Sequence, residues 1–85
     1  MKIKYKLKFE ATCPSDKQII KYKAIIFTEE FKSVEDINSY VSSLKTVKIY
    51  QEELTTRLCR HFKGRVVTYG THQNVKIKCE NNFFK

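Results

Sequence analysis

Eighty-five residues make one small domain, residues 1–85, which buries so little surface that oligomerisation or a further staple is expected to support it. With 41% hydrophobic and 13% aromatic residues, two Gly and one Pro, the composition excludes a disordered chain, and no apolar run has the length of a membrane span. The formal charge of +8, from 17 Lys and Arg against 9 Asp and Glu, suits a polyanionic partner, nucleic acid first, and suits a merely well-solvated Lys-rich surface equally.

Residues 2–10 alternate without a break. Ile3, Tyr5, Leu7 and Phe9 point one way, and Lys2, Lys4, Lys6, Lys8 and Glu10 the other. That is a half-buried antiparallel strand with one wet face. Its Lys row can contact phosphates or protect an open sheet edge. Cys13-Pro14-Ser15-Asp16-Lys17 reads as a loop. A second strand follows over about 19–28, so Cys13 stands in or beside a hairpin connection.

Ser33 and Asp36 form an N-cap pattern. Val34, Ile37, Tyr40, Val41 and Leu44 then predict a helix over 34–45. A second helix runs over 50–62, with Leu54, Leu58 and Phe62 on one stripe and Gly64 as the residue past its end. Residues 65–71 and 74–80 read as a hairpin with its turn at Thr71 to Asn74. Phe83 and Phe84 in the tail are expected to pack on a neighbour.

The order is β-β-α-α-β-β. It predicts an α+β fold in which two hairpins share a four-stranded antiparallel sheet with both helices on one face. Two sheet edges are then left open. Closure into a barrel between copies removes them, so a homo-oligomer is expected.

Few residues offer chemistry. Cys13, in a polar loop near Lys17, is either a reactive thiol or an inert cysteine at a strand end. Glu52 and Glu53 open the second helix, where an acid stabilises the helix dipole whether or not it also holds a ligand. Gln51 beside them reads as a surface residue. Cys59 and Cys79 fall at periodic, core-like positions, and His61 and His72 read as structural. No CxxC pair exists, and the histidines miss zinc-finger spacing, so no metal site is expected. The odd cysteine count and the lack of a signal peptide suggest a reducing, cytoplasmic setting.

Four stretches resemble a known family. They are Phe9-Glu-Ala-Thr-Cys-Pro14, Glu30-Phe-Lys-Ser33, Gln51-Glu-Glu-Leu54 and the hairpin from Arg65 to Lys78. Together they resemble the tunnelling-fold superfamily. Within it they are most similar to the 7-cyano-7-deazaguanine nitrile reductases (QueF) and their short archaeal QueF-like amidinotransferase relatives. The resemblance implies Cys13 as the thiolate that adds to a nitrile carbon and Glu52, with Gln51, as the anchor of the deazaguanine base. Glu30, Lys32 and Ser33 would be further substrate-binding residues. A homo-oligomer with the site at the subunit interface is implied as well.

Three departures shape the reading. The acid seven residues after the family's cysteine is Ile20 here, which leaves Asp16 as the nearest catalytic acid. The family's His before the anchoring Glu is Gln51. Phe31 interrupts the reductase's cofactor motif, which favours amidation without a cofactor over NADPH-dependent reduction. The implied substrate is the base within tRNA, with ammonia or another nitrogen donor. Lys2, Lys4, Lys6, Lys8, Lys76 and Lys78 would form the positive face that holds the tRNA. A non-catalytic basic domain that binds nucleic acid is the alternative from another class.

Overall fold

A computed structural model of the chain describes residues 1–83. The expectation for Phe84 lies outside them. The elements are β1 (Ile3–Thr12), β2 (Ile19–Thr28), α1 (Val34–Ser42), α2 (Gln51–Phe62), β3 (Arg65–His72) and β4 (Val75–Asn82). The strands form one antiparallel sheet in the order β1-β2-β3-β4. Its edges, β1 and β4, do not meet within one chain.

The alternation of β1 works as read. Phe9 and Ala11 are buried with Ile20, Tyr22, Ala24 and Ile26 of β2 and Val66 of β3. On them lie Ile37 and Val41 of α1 and Leu54, Leu58 and Phe62 of α2. The opposite sheet face carries no helix and collects the lysines. Lys8, Lys23, Tyr69 and Lys78 are aligned across all four strands.

The Ser33 hydroxyl caps α1 by accepting the Asp36 N–H at 3.0 Å. The helix ends at Ser42, earlier than its apolar spacing suggested, and Leu44 stays buried in the following turn. Val34, on the first turn, points to solvent rather than joining the stripe.

At the end of α2 the left-handed residue is Lys63, with φ of 52°, and not Gly64. Gly64 is required for a different reason: a Cβ there would collide with the Phe27 carbonyl of β2. β4 continues to Asn82, so Asn81 and Asn82, read as tail, belong to the sheet. The β3–β4 turn is only Gln73 and Asn74, with φ of 50° and 67°, the signature of a tight two-residue hairpin. His72 therefore closes β3, paired with Val75, and is not a free turn residue.

Candidate active site

The β1–β2 loop is compact. The Cys13 N–H donates to Gln18 O at 2.8 Å and the Lys17 N–H to Cys13 O at 2.9 Å, with Lys17 at a φ of 61°. The Gln18 N–H donates to Asp16 Oδ1 at 3.0 Å. These bonds aim the Cys13 and Asp16 side chains at the same point. Cys13 is buried, with its Sγ 3.2 Å from Ser15 Oγ.

A third group arrives from the far hairpin. His72 Nε2 lies 2.7 Å from Asp16 Oδ2, across 56 positions of sequence. Cys13 Sγ, an Asp16 oxygen and a His72 ring nitrogen all lie within 4.8 Å of one another. Hydrogen bonding to His72 first, then to Gln18, lowers the Asp16 pKa from 3.8 to about 2. The side chain is therefore ionised at neutral pH. In that state Asp16 can take up a proton but holds none to give.

Donors of these three kinds also bind divalent metals, and no other such group of three stands among the described residues. Two ligands of one tetrahedral zinc ion stand about 3.3 Å apart, from metal–ligand distances of about 2.0–2.1 Å. Asp16 and His72, at 2.7 Å, are closer than that. Their geometry is that of a hydrogen-bonded pair.

The Asp16 shift fixes the sign of an acid effect. Its folded pKa lies below its unfolded value, so the stabilisation is present above pH 3.8 and is lost as pH falls towards about 2. Acid unfolding of the wild type is expected to show this extra loss in that window, and Asp16→Asn to lack it. Urea midpoints taken across the range check this, and identical pH dependence in the two proteins refutes it.

Cys13 and His72 border a small cleft of about 70 Å³, lined also by Ile20, Tyr22, Gln51, Glu52, Gly70 and Ile77. The two acids that open α2 part company here. Glu53 pairs with Arg57 at 3.4 Å, one helical turn on. Glu52 faces the cleft, and its carboxylate has no hydrogen-bond or ion-pair partner among the described residues. A base-edge ligand needs a free acceptor of this kind.

Gln51 is buried, which overturns the surface reading. Its Nε2 donates to Ile77 O at 3.1 Å, to Thr68 Oγ1 at 3.2 Å and to Thr68 O at 3.3 Å. The Thr55 hydroxyl, bonded to Gln51 O and Thr68 Oγ1, completes the network. Gln51 thus fastens the head of α2 to β3 and β4, and so sets where Glu52 stands.

Tyr22 was not anticipated. It is 4% exposed and lines the cleft, yet its hydroxyl makes no hydrogen bond among the described residues. Burial first, then negative charge on Cys13, Cys79 and Glu52, raises its pKa to about 12. Tyr22 therefore remains a proton donor beside Glu52. A Cβ on Gly70 would meet the Tyr22 ring at 2.6 Å, so glycine at that position makes room for the ring. A β-rich run such as Tyr22 to Phe27 gives no sign of which aromatic ring ends in a cleft.

The remaining candidates lie elsewhere. Glu30 and Lys32 pair at 3.2 Å beyond the end of β2, and Ser33 caps α1. The backbone of Lys32 is tied to the Tyr5 hydroxyl. Thr28 pairs with Ile3, so this segment is at the opposite end of the β1–β2 hairpin from Cys13, and one chain does not bring the two together. Lys4, Lys6, Lys8, Lys76 and Lys78 are exposed and share the helix-free face, joined there by Lys21 and Lys23, which the sequence reading passed over. Lys2 is exposed just before β1. His61 stacks on Tyr40 at 3.8 Å between ring centres, far from the chemistry. Cys59 is buried as expected and donates to Gly64 O at 3.1 Å, while Cys79 is only half-buried.

Comparison with known proteins places this geometry. No protein-family model and no curated protein matches the sequence. Among solved structures, the archaeosine synthase QueF-Like in its apo form superposes with a TM-score of 0.87 at 18% identity, over 94% of this chain and 90% of that one. The chain shares the fold of that QueF-Like structure, a four-stranded antiparallel sheet with two helices in the order β-β-α-α-β-β. In this QueF-like frame the cleft lies between the β1–β2 loop, the head of α2 and the β3–β4 hairpin. No described helix is long and apolar enough to cross a membrane.

Proposed function

We propose that this chain is a QueF-like amidinotransferase, which converts the nitrile of 7-cyano-7-deazaguanine in tRNA to an amidine. One observation carries the reading. A buried thiol, Cys13, and a carboxylate without a partner among the described residues, Glu52, border the same cleft, on a fold shared with an archaeosine synthase.

The Cys13 sulfur adds to the nitrile carbon, and the nitrile nitrogen takes up the thiol proton, giving a thioimide. Ammonia or another nitrogen donor then adds to that carbon and the thiol leaves, so an amidine and free Cys13 result. Glu52 accepts N–H bonds from the amino-pyrimidine edge of the base, a charge-assisted contact. The Tyr22 hydroxyl is a donor for a base oxygen. No cofactor is needed for addition and exchange.

A second copy of the chain completes the site. The cleft of about 70 Å³ is far smaller than the roughly 300–1,000 Å³ usual for ligand pockets, and both sheet edges stand open. The helix-free face, with its lysines, then meets the tRNA in the cytoplasm. The NADPH reductase reading is weakened further, because the Ser33 hydroxyl already caps α1.

The test supplies tRNA carrying the cyano base, with an ammonium salt, and analyses the nucleosides by mass spectrometry. The amidine is expected. An amine formed only with NADPH selects the reductase. No turnover, with salt-sensitive tRNA binding that Cys13→Ala leaves unchanged, selects a binding domain. Removing Lys8 or Lys78 is expected to reduce the slope of log affinity against log salt by about 1 each.

A further inference from the structure

The reaction proposed above needs a proton carrier beside Cys13. Ile20, at the position of the missing acid, is an apolar cleft residue and carries none. Asp16 is ionised and bonded to His72. We propose that His72 is the catalytic acid–base of this site, with Asp16 as the positioning residue that orients its ring. The proposal rests on the amidinotransferase reading for its substrate, but its central claim concerns only how Cys13 is activated.

The geometry has three parts. His72 is the last residue of β3, and the tight Gln73–Asn74 turn holds it at the cleft. Asp16 is itself held by the Gln18 N–H, so the ring has a fixed partner. A ring nitrogen of His72 and Cys13 Sγ lie within 4.8 Å of each other. A thiol, an imidazole and an orienting carboxylate drawn from two distant segments make the arrangement used for nucleophilic catalysis.

The other titratable groups at the cleft are Tyr22 from β2, Tyr50 at the N-cap of α2 and Glu52 from α2. Tyr22 stays protonated, and the Glu52 carboxylate has no hydrogen-bond or ion-pair partner among the described residues. β4 contributes only Ile77 to the lining. His72 is therefore the cleft side chain beside Cys13 whose ring can both accept and donate a hydrogen bond.

The step balances. The thiol S–H bond breaks, its proton passes to His72, and the S–C bond forms at the nitrile carbon. His72 then protonates the nitrile nitrogen, so the thioimide N–H is made and the histidine returns to its starting state. When the nitrogen donor adds, the same ring takes its proton and delivers one to the departing sulfur.

The experiment uses the full chain and two probes. The rate of Cys13 alkylation by iodoacetamide is followed against pH by peptide mass mapping, which separates Cys13 from Cys59 and Cys79. The 7-cyano-7-deazaguanine adduct is followed by intact mass. His72→Gln keeps a hydrogen-bond donor for Asp16 but cannot shuttle a proton, and circular dichroism checks its fold. His72→Ala leaves space for added imidazole.

Alkylation near pH 7 is expected to slow about tenfold or more in both variants, with one limb of the pH profile lost. Imidazole is expected to restore part of the rate to His72→Ala alone. Equal rates and profiles in wild type and His72→Gln overturn the proposal. Nitrile adduct formation that is as fast in His72→Gln as in wild type also overturns it, while leaving Cys13 as nucleophile. His72-dependent alkylation without any nitrile adduct supports the proposal and removes the nitrile substrate instead.

Discussion

Incubation with 7-cyano-7-deazaguanine is expected to add the mass of the nitrile to the wild-type chain and nothing to Cys13→Ala. Cys13 is the chain's one thiol in the cleft, and the nitrile carbon needs a soft nucleophile. Without it, no covalent intermediate forms. Amidine formation should fall by about 10³-fold or more, as when other covalent enzymes lose their nucleophile. Cys13→Ser is expected to behave like Cys13→Ala, because a hydroxyl is far less acidic than a thiol. The variant removes a small buried group, so folding should survive with a modest loss. An adduct that persists in Cys13→Ala, mapped to Cys59 or Cys79, would falsify the assignment.

Glu52→Gln is expected to weaken binding of the free base by about 10²-fold. A hydrogen bond to a charged group contributes about 1.5–3 kcal/mol, and the amide that replaces the carboxylate offers a donor where an acceptor is needed. Glu53→Gln serves as the control, since it breaks only an exposed helical pair with Arg57 worth about 0.3–0.5 kcal/mol. Equilibrium binding of the deazaguanine base, measured for both variants by calorimetry, separates them. Equal affinities would remove Glu52 from the site and return it to the role of a helix-dipole acid.

The two variants probe two groups that line the same cleft. Loss of Cys13 should leave binding of the base nearly intact while stopping chemistry. Loss of Glu52 should weaken binding and slow chemistry through poor orientation. Gln51 is the link between them. Its three contacts to Thr68 and Ile77 hold the first turn of α2 on the sheet, so damage there would displace Glu52 without touching ligand.

The local patterns of the chain determined most of the architecture. Strict alternation in β1, fourfold spacing in α2 and the Ser33 cap each state a period or a capping bond that neighbours in sequence can enforce. Cys13 and Glu52 were singled out for another reason, since each stands in a short stretch resembling a known family, and the fold brings both to one cleft. The tertiary structure alone decided what surrounds Asp16, His72, Tyr22 and Gln51. Asp16 and His72 meet at 2.7 Å from segments 56 residues apart, and such contacts leave no periodic trace. Tyr22 and Gln51 look like an ordinary strand aromatic and an ordinary helix-surface amide. Only the packing of α2 on β3 and β4 buries the amide, and only the cleft leaves the phenol without a partner among the described residues. Secondary structure follows from local sterics and hydrophobic period, whereas the ionisation and hydrogen bonding of a site follow from which distant groups the fold brings within a few ångströms.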